Sequence, residues 1–300
     1  MTPTASVALV ATDFSPLAQR AADRAAQLAL AQGQSMQLVH VLNHDWMVTL
    51  RGWLGEQGPA LARLAQASAT QLEAEAQRLR SLHPGLALSV RLLEGQPVAA
   101  VDEAASALPA AWLALGVRGD TPLHQLLIGT TAERLLRKTT HPVLVVRQPA
   151  AAPYRRVLVP VDFSPWSQSA VSLAMHFAPQ ATLVLMHTFS VPFEEKLRFA
   201  GVDDDTVGLY RDKARLQALQ QLQAVAGNTG LPDERLSLCL QEGDAARAVV
   251  EQAAVRDCDL VVIGKHGKNA AEELLLGSVT KHVLAEVSCD VLVSTGHPPA

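Results

Sequence analysis

Two glycine constellations of identical spacing, 148 residues apart, constrain this 300-residue chain more than any other feature. Gly116-x-x-Gly119 is followed by nine residues and then Gly129-Thr130; Gly264-x-x-Gly267 is followed by nine residues and then Gly277-Ser278. Each follows an apolar, strand-like run, at 111–115 and 259–263, and each ends on a hydroxyl residue able to cap a helix. A chain that leaves a strand through glycines and enters a helix at a hydroxyl residue points bare amide N–H groups into a crevice, an arrangement suited to phosphate.

The repeat extends to other anchors. Asp13-Phe14-Ser15-Pro16 recurs as Asp162-Phe163-Ser164-Pro165, and Leu38-Val39-His40-Val41 as Leu185-Met186-His187-Thr188. Leu93-Glu94-Gly95 recurs as Gln241-Glu242-Gly243, and the valine-rich run 142–146 as 290–294. All offsets fall between 147 and 149, which establishes tandem duplication. The segment Gln148-Pro149-Ala150-Ala151-Ala152-Pro153 lacks charge and periodicity and carries two prolines, so the domain limits are expected at 1–148 and 154–297. Each half is long enough to bury its own core.

With 49% apolar residues, 18% charged residues and a net charge of −4, nothing favours binding to nucleic acid or to an anionic membrane. No stretch approaches the roughly 18 apolar residues of a membrane span. Met1-Thr2-Pro3-Thr4 lacks the basic start of a secretory signal, so a cytoplasmic location is expected. Cys239, Cys258 and Cys289 show no metal-ligand spacing and read as buried, reduced thiols.

Within each half, short β-branched runs alternate with longer amphipathic stretches, the pattern of a parallel sheet flanked by helices. Strands are expected at 6–11, 36–41, 87–93, 112–116 and 143–147, and again at 156–161, 182–187, 235–241, 260–264 and 291–294. Helices are expected at 60–80, 167–178, 206–226, 244–254 and 278–286. The fold class is therefore α/β, as two tandem open five-stranded parallel sheets with flanking helices. The tryptophans in the insertion at 46–59 are expected to pack rather than to read a ligand.

Ligands of such sheets bind at the carboxyl ends of the strands, where connectivity reverses. That rim gathers Asp162, His187, Thr188, Gly264 and Ser278 in the second half, and Asp13, His40, Val41, Gly116 and Thr130 in the first. Lys265, His266 and Lys268 bring positive or titratable charge beside it. Asp162 has two readings, a hydrogen bond to a ribose or base and a cap on the next helix; the glycines likewise serve either a ligand or the turn itself. His187 reads as a packed strand-end residue, since no nucleophile or carboxylate recurs with it at triad-like positions. GxxxxGK[ST] is absent from both halves, as is GxGxxG after a first strand, which disfavours a P-loop NTPase and a dinucleotide-binding domain.

The assembled pattern resembles the universal stress protein family, whose nucleotide-binding members carry G-2x-G-9x-G(S/T) after the fourth strand and a PxD-like segment after the first. The similarity covers both halves. It implies a Rossmann-like fold of the adenine nucleotide alpha hydrolase type, with ATP or another adenine nucleotide bound together with Mg2+, and a regulatory role in the stress response. Carried over by position, it implicates Pro160, Val161, Asp162, Thr188, Gly264, Gly267, Gly277, Ser278, Val279 and Thr280 in the second half. In the first half the matching positions are Ala11, Thr12, Asp13, Val41, Gly116, Gly119, Gly129, Thr130 and Thr131. There Ala11 replaces the proline, and Asp120 stands where Lys268 stands in the second copy. A carboxylate so close to a polyphosphate costs about 1 kcal/mol after screening, so the second site is expected to bind more tightly.

The resemblance also implies an intramolecular pseudo-dimer joined through the last strands, with a homodimer and a protein partner as further expectations. A nucleotide-free scaffold that binds a protein is the competing function. A slow ATPase or nucleotide-transferring enzyme is a third, with Asp162 and His266 as its candidate bases.

Overall fold

The computed structural model describes residues 6–54, 59–117, 129–191, 194–268 and 275–295. The first apolar run forms β1 (Val7–Ala11). Pro16 then opens α1 (Pro16–Ala31), because its fixed φ suits a helix start and its missing N–H costs nothing there. Ser15 caps α1, its hydroxyl accepting from the Ala18 amide at 3.2 Å. Ala18, Ala21, Ala22, Ala25 and Ala26 are all buried, so small side chains bring α1 close against the sheet. The first repeat continues through β2 (Ser35–Asn43), α2 (His44–Leu54), α3 (Pro59–Leu82), β3 (Leu88–Gly95), α4 (Pro97–Ser106), β4 (Ala110–Gly116), α5 (Thr130–Lys138) and β5 (Val143–Val146).

The second repeat follows the same order. β6 (Arg156–Pro160) leads into α6 (Pro165–Phe177), again through a Ser-Pro start, with the Ser164 hydroxyl accepting from the Ser167 amide at 3.3 Å. Then come β7 (Thr182–Phe189), α7 (Glu194–Phe199), α8 (Asp204–Gly227), β8 (Leu236–Glu242), α9 (Ala245–Val255), β9 (Leu260–Gly264), α10 (Ser278–Glu286) and β10 (Asp290–Ser294). The expected elements lie within a few residues of those observed. Helices α2 and α7 follow the second strand of each repeat, where none was expected. The Trp46 and Trp53 side chains lie outside the described residues.

The chain divides into two compact units: Met1–Pro153 with Asp290–Gly296, and Tyr154–Cys289 with His297–Ala300. In the second unit the strand order is β9-β6-β7-β8, and the pairings of β6 with β7 and β9, and of β7 with β8, are parallel. β9 is buried throughout, as a parallel strand covered on both faces should be. In the first unit the order is β3-β2-β1-β4-β5-β10.

The α/β class, the parallel strands and the flanking helices are those expected, with one refinement: the fifth strand of the second repeat belongs to the first unit. There β10 pairs antiparallel with β5, Leu292 opposite Leu144. β5 is four buried apolar residues, an edge that would invite aggregation if left unpaired. Asp290, fully buried, accepts at Oδ1 from the Arg147 and Gln148 amides at 2.8 and 3.0 Å. Its Oδ2 lies 3.5 Å from Nε of Arg24, which is also buried. Arg24 in turn donates to the Ala152 and Pro149 carbonyls at 2.6 and 3.3 Å, so one guanidinium ties the linker, α1 and β10 together.

Candidate functional site

In the second unit β6 has β7 on one side and β9 on the other, so the order in which the chain adds parallel strands reverses at that junction. The reversal opens a crevice at the carboxyl ends of the strands. All ten second-repeat residues singled out above line one cavity of about 680 Å3 there. Pro160, Val161 and Asp162 come from the end of β6, Thr188 from β7, and Gly264 and Gly267 from β9 and the loop after it. Gly277, Ser278, Val279 and Thr280 come from the start of α10. The volume lies in the range of small-molecule sites.

The Asp162 carboxylate organises one wall. Its Oδ1 accepts from the Ser164 amide at 3.0 Å and the Ser164 hydroxyl at 2.5 Å, and its Oδ2 accepts from the Lys268 amide at 2.8 Å. A side chain at Gly267 would put its Cβ 2.8 Å from Oδ2, so glycine there is what lets the carboxylate reach the loop. Burial pushes the Asp162 carboxyl up, but these hydrogen bonds, with one from Ser167, outweigh it and hold the group below its ordinary 3.8. Of the two readings of Asp162, capping is excluded: the cap of α6 is Ser164. The carboxylate instead holds Phe163 at φ 62, an uncommon backbone for a bulky residue.

Phe163 lies against His187, ring centroids 4.2 Å apart, with Lys268 Nζ 5.1 Å above the phenyl ring. His187 Nδ1 lies 2.7 Å from the Val161 carbonyl, which can only accept, so that nitrogen carries the proton. Burial lowers the His187 pKa and the Lys268 charge lowers it further, against the opposing pull of the Val161 carbonyl and Asp162. The histidine is a neutral turn-holding residue at the strand end.

The opposite wall is a helix start without a side-chain cap. Gly277 occupies the cap position of α10, and its own amide donates to the Lys265 carbonyl at 3.0 Å. The first-turn amides of Ser278, Val279 and Thr280 then stand at the cavity with the positive end of the helix dipole. The Thr280 hydroxyl donates to the Gly264 carbonyl at 2.8 Å, so its proton is committed to the scaffold and only its amide is left for a ligand. Gly264 lets β9 pass under α6, since a Cβ there would lie 3.0 Å from the His266 carbonyl and 3.3 Å from Trp166 Cβ. Lys265 does not bring charge to the cavity; it is buried and outside the lining, whereas His266 and Lys268 line it.

Sequence reasoning missed the apolar side of the cavity: Met186, Ala245, Val249, Ile263, Leu275 and Leu276. A signal for Ala245 was present in the repeated Glu-Gly pair, since Gly243 at φ 114 turns the chain from β8 into α9. Among the described residues no group of three or more His, Cys, Asp or Glu is placed to hold a metal ion.

In the first repeat the same turn recurs. Asp13 Oδ1 accepts from the Ser15 amide at 3.0 Å, Phe14 has φ 65, and His40 Nδ1 lies 2.8 Å from the Thr12 carbonyl. Thr12 Oγ1 accepts from the Phe14 amide at 3.0 Å, which engages the side chain in place of Val161. Ala11 and Val41 are half-buried at the ends of β1 and β2. Gly116 ends β4, where a Cβ would lie 2.8 Å from the Leu17 carbonyl carbon. Gly129 caps α5 without a side chain, its amide donating to the Val117 carbonyl at 2.8 Å, and Thr130 and Thr131 are exposed in the first turn. Gly119, with Arg118 and Asp120, lies outside the described residues.

Comparison with known proteins agrees with this architecture. A model of the universal stress protein family matches the chain twice, at residues 6–147 and 153–294. A universal stress protein of Mycobacterium tuberculosis is 27% identical over 269 residues, covering 86% of each chain. One from Thermus aquaticus is 30% identical over 151 residues, 47% of this chain and 98% of that protein. The crystal structure of a universal stress protein from Archaeoglobus fulgidus shares the fold, with a TM-score of 0.69 at 17% identity over 96% of this chain and 97% of that one. With the family pattern matched once in each repeat, this chain belongs to the universal stress protein family as a tandem member.

Proposed function

We propose that the cavity of the second unit binds an adenine nucleotide and that the protein acts as a nucleotide-responsive regulator of the stress response. The observation that carries this reading is the convergence on one cavity of two segments more than a hundred residues apart: the Asp162 turn and the uncapped start of α10. In this reading the amides of Ser278, Val279 and Thr280, with the Ser278 hydroxyl, hold the phosphates. Val161, Val249 and Ile263 offer an apolar wall to the base, and Asp162 accepts from a ribose hydroxyl. A divalent cation arrives with the phosphates rather than in a site of its own.

The function is read as binding rather than turnover: of the two candidate bases, the Asp162 carboxylate is engaged in holding the turn. We place the protein in the cytoplasm; no helix among the described residues is long and apolar enough to cross a membrane. The repeats act as a pseudo-dimer, for which the pairing of β5 with β10 is the support. A thermal melt in millimolar ATP and magnesium tests the reading, because a ligand specific for the native state adds roughly 2.7 kcal/mol at a hundredfold excess over Kd. A raised midpoint is expected, and an unchanged one favours the nucleotide-free scaffold.

A further inference from the structure

The lining of the second-unit cavity carries little positive charge for a site read as holding phosphates. Among the described residues it contains one lysine, Lys268, and no arginine, against one carboxylate, Asp162, which its hydrogen bonds keep ionised. His187 is a neutral brace, and the His266 ring packs edge-on against Trp166 with centroids 5.0 Å apart. The start of α10 adds roughly half a positive charge, which Asp162 offsets. The fixed part of the lining therefore cannot balance the several negative charges of a triphosphate. Only Lys268 can bring a full positive charge to it.

Lys268 is held at one end and loose at the other. Its amide donates to Asp162 Oδ2 at 2.8 Å, which fixes its backbone at the rim. Its side chain is exposed, makes no ion pair among the described residues, and rests with Nζ 5.1 Å from the centre of the Phe163 ring. The ring is a fixed resting place, since Phe163 stands at φ 62 in the Asp162 turn and lies against His187. A cation over a phenyl ring is weakly held at an exposed site, whereas a charge-assisted hydrogen bond to phosphate is strong. The flexible lysine stem lets the ammonium change partners while the backbone stays in place.

We propose that Lys268 sets the phosphate number this site prefers: its ammonium leaves the Phe163 ring for the outer phosphates of a nucleoside triphosphate, so that triphosphate is selected over monophosphate. The proposal rests on the nucleotide reading of the cavity and adds the residue that discriminates among nucleotides. The α10 amides hold one phosphate group whatever the length of the chain, and Lys268 answers only to the charge beyond it.

Calorimetric titration of the full chain with ATP, ADP, AMP and adenosine, all in magnesium, tests this. The wild type should bind ATP more tightly than AMP, with ADP between them. Lys268→Met should lower ATP affinity about tenfold, as loss of a charged hydrogen bond does, and AMP affinity less than about threefold. Lys268→Arg should keep the preference, and 0.5 M salt should shrink it in the wild type. By NMR, the Lys268 ε-methylene resonance, shifted upfield by the phenyl ring, should return to the ordinary lysine position in saturating ATP and stay in place with adenosine. A chain that takes up none of the four ligands would overturn the nucleotide reading and this proposal with it. Equal affinities for ATP and AMP, a preference that survives Lys268→Met, or a Lys268 resonance that ATP does not move would overturn this proposal alone.

Discussion

The two repeats build the same turn from the same residues and then diverge at the helix that faces it. Asp13 and Asp162 hold a left-handed phenylalanine, His40 and His187 brace it, and Ser15 and Ser164 cap the following helix. Beyond the second glycine pair the copies differ. α10 continues with Thr280, whose hydroxyl pins β9, and with Lys281; α5 has Ala132 and Glu133 at those places. An acidic residue in the first turn suits the dipole of the helix itself and opposes an anion arriving at the same amides. The difference teaches that one scaffold can carry opposite charges at matching places of the same helix start, Lys281 in α10 and Glu133 in α5.

The largest effect should come from the glycines that end the fourth strands. Gly116→Ala would set a Cβ 2.8 to 3.0 Å from three backbone atoms of Leu17 and Ala18, which cannot rotate away, and should cost about 3 kcal/mol. Gly264→Ala meets its nearest neighbours at 3.0 and 3.3 Å, one of them a side-chain carbon, and should cost about 1 kcal/mol. Urea unfolding of the two variants measures the gap. Equal costs would mean that the first repeat relaxes as readily as the second.

Acid should act on the second-repeat turn through two groups. The Asp162 carboxyl is held below 3.8, so its contribution is present above that value and is lost as pH falls through the depressed folded value. The folded His187 pKa is below 6.5, so on acidification the unfolded chain takes up this proton first, and stability declines from about pH 6.5 downward. His187→Gln, which keeps a donor for the Val161 carbonyl, should flatten the fall in Tm between pH 7 and 5. A variant whose pH profile matches the wild type would show that His187 does not titrate against the fold.

The smallest effect expected is electrostatic. Reversing the charge in the first turn, by Lys281→Glu in one copy or Glu133→Lys in the other, is worth about 0.3 to 1 kcal/mol per site. That is a two- to fivefold change in nucleotide affinity, which should shrink in 0.5 M salt. A change that salt does not touch would point to a steric cause. Asp120→Lys should act in the same direction as Glu133→Lys.

Much of this site was legible because backbone chemistry left marks in the sequence. Glycine is required where β9 runs under α6 and where Asp162 meets the loop, and the Ser-Pro pairs announce two helix starts. The apolar wall was not legible, since Val249 and Ile263 read as core whether they face a helix or a cavity. Asp162 and Ser164 are both good caps by type, and only geometry separates them. The pairing of β10 with β5 was expected from the resemblance, which joins the repeats through their last strands, whereas the buried Asp290 with its Arg24 partner was visible only as two isolated charges. Because β10 completes the first unit, cutting the chain at the linker would leave both pieces altered, and tests belong on the full chain.

The central claim, that the second repeat is the main nucleotide site, is tested most directly by calorimetric titration of the full chain with ATP and magnesium in two variants, Gly277→Val and Gly129→Val. A Cβ at Gly277 would meet its nearest neighbour, the Lys265 carbonyl, at an ordinary 3.4 Å, so the fold should survive while the valine branches crowd the amides. Gly277→Val should abolish the tighter binding event, and Gly129→Val should leave that event within about twofold of the wild type, below 0.5 kcal/mol. Tight binding that persists in Gly277→Val, or that disappears in Gly129→Val alone, would contradict the account.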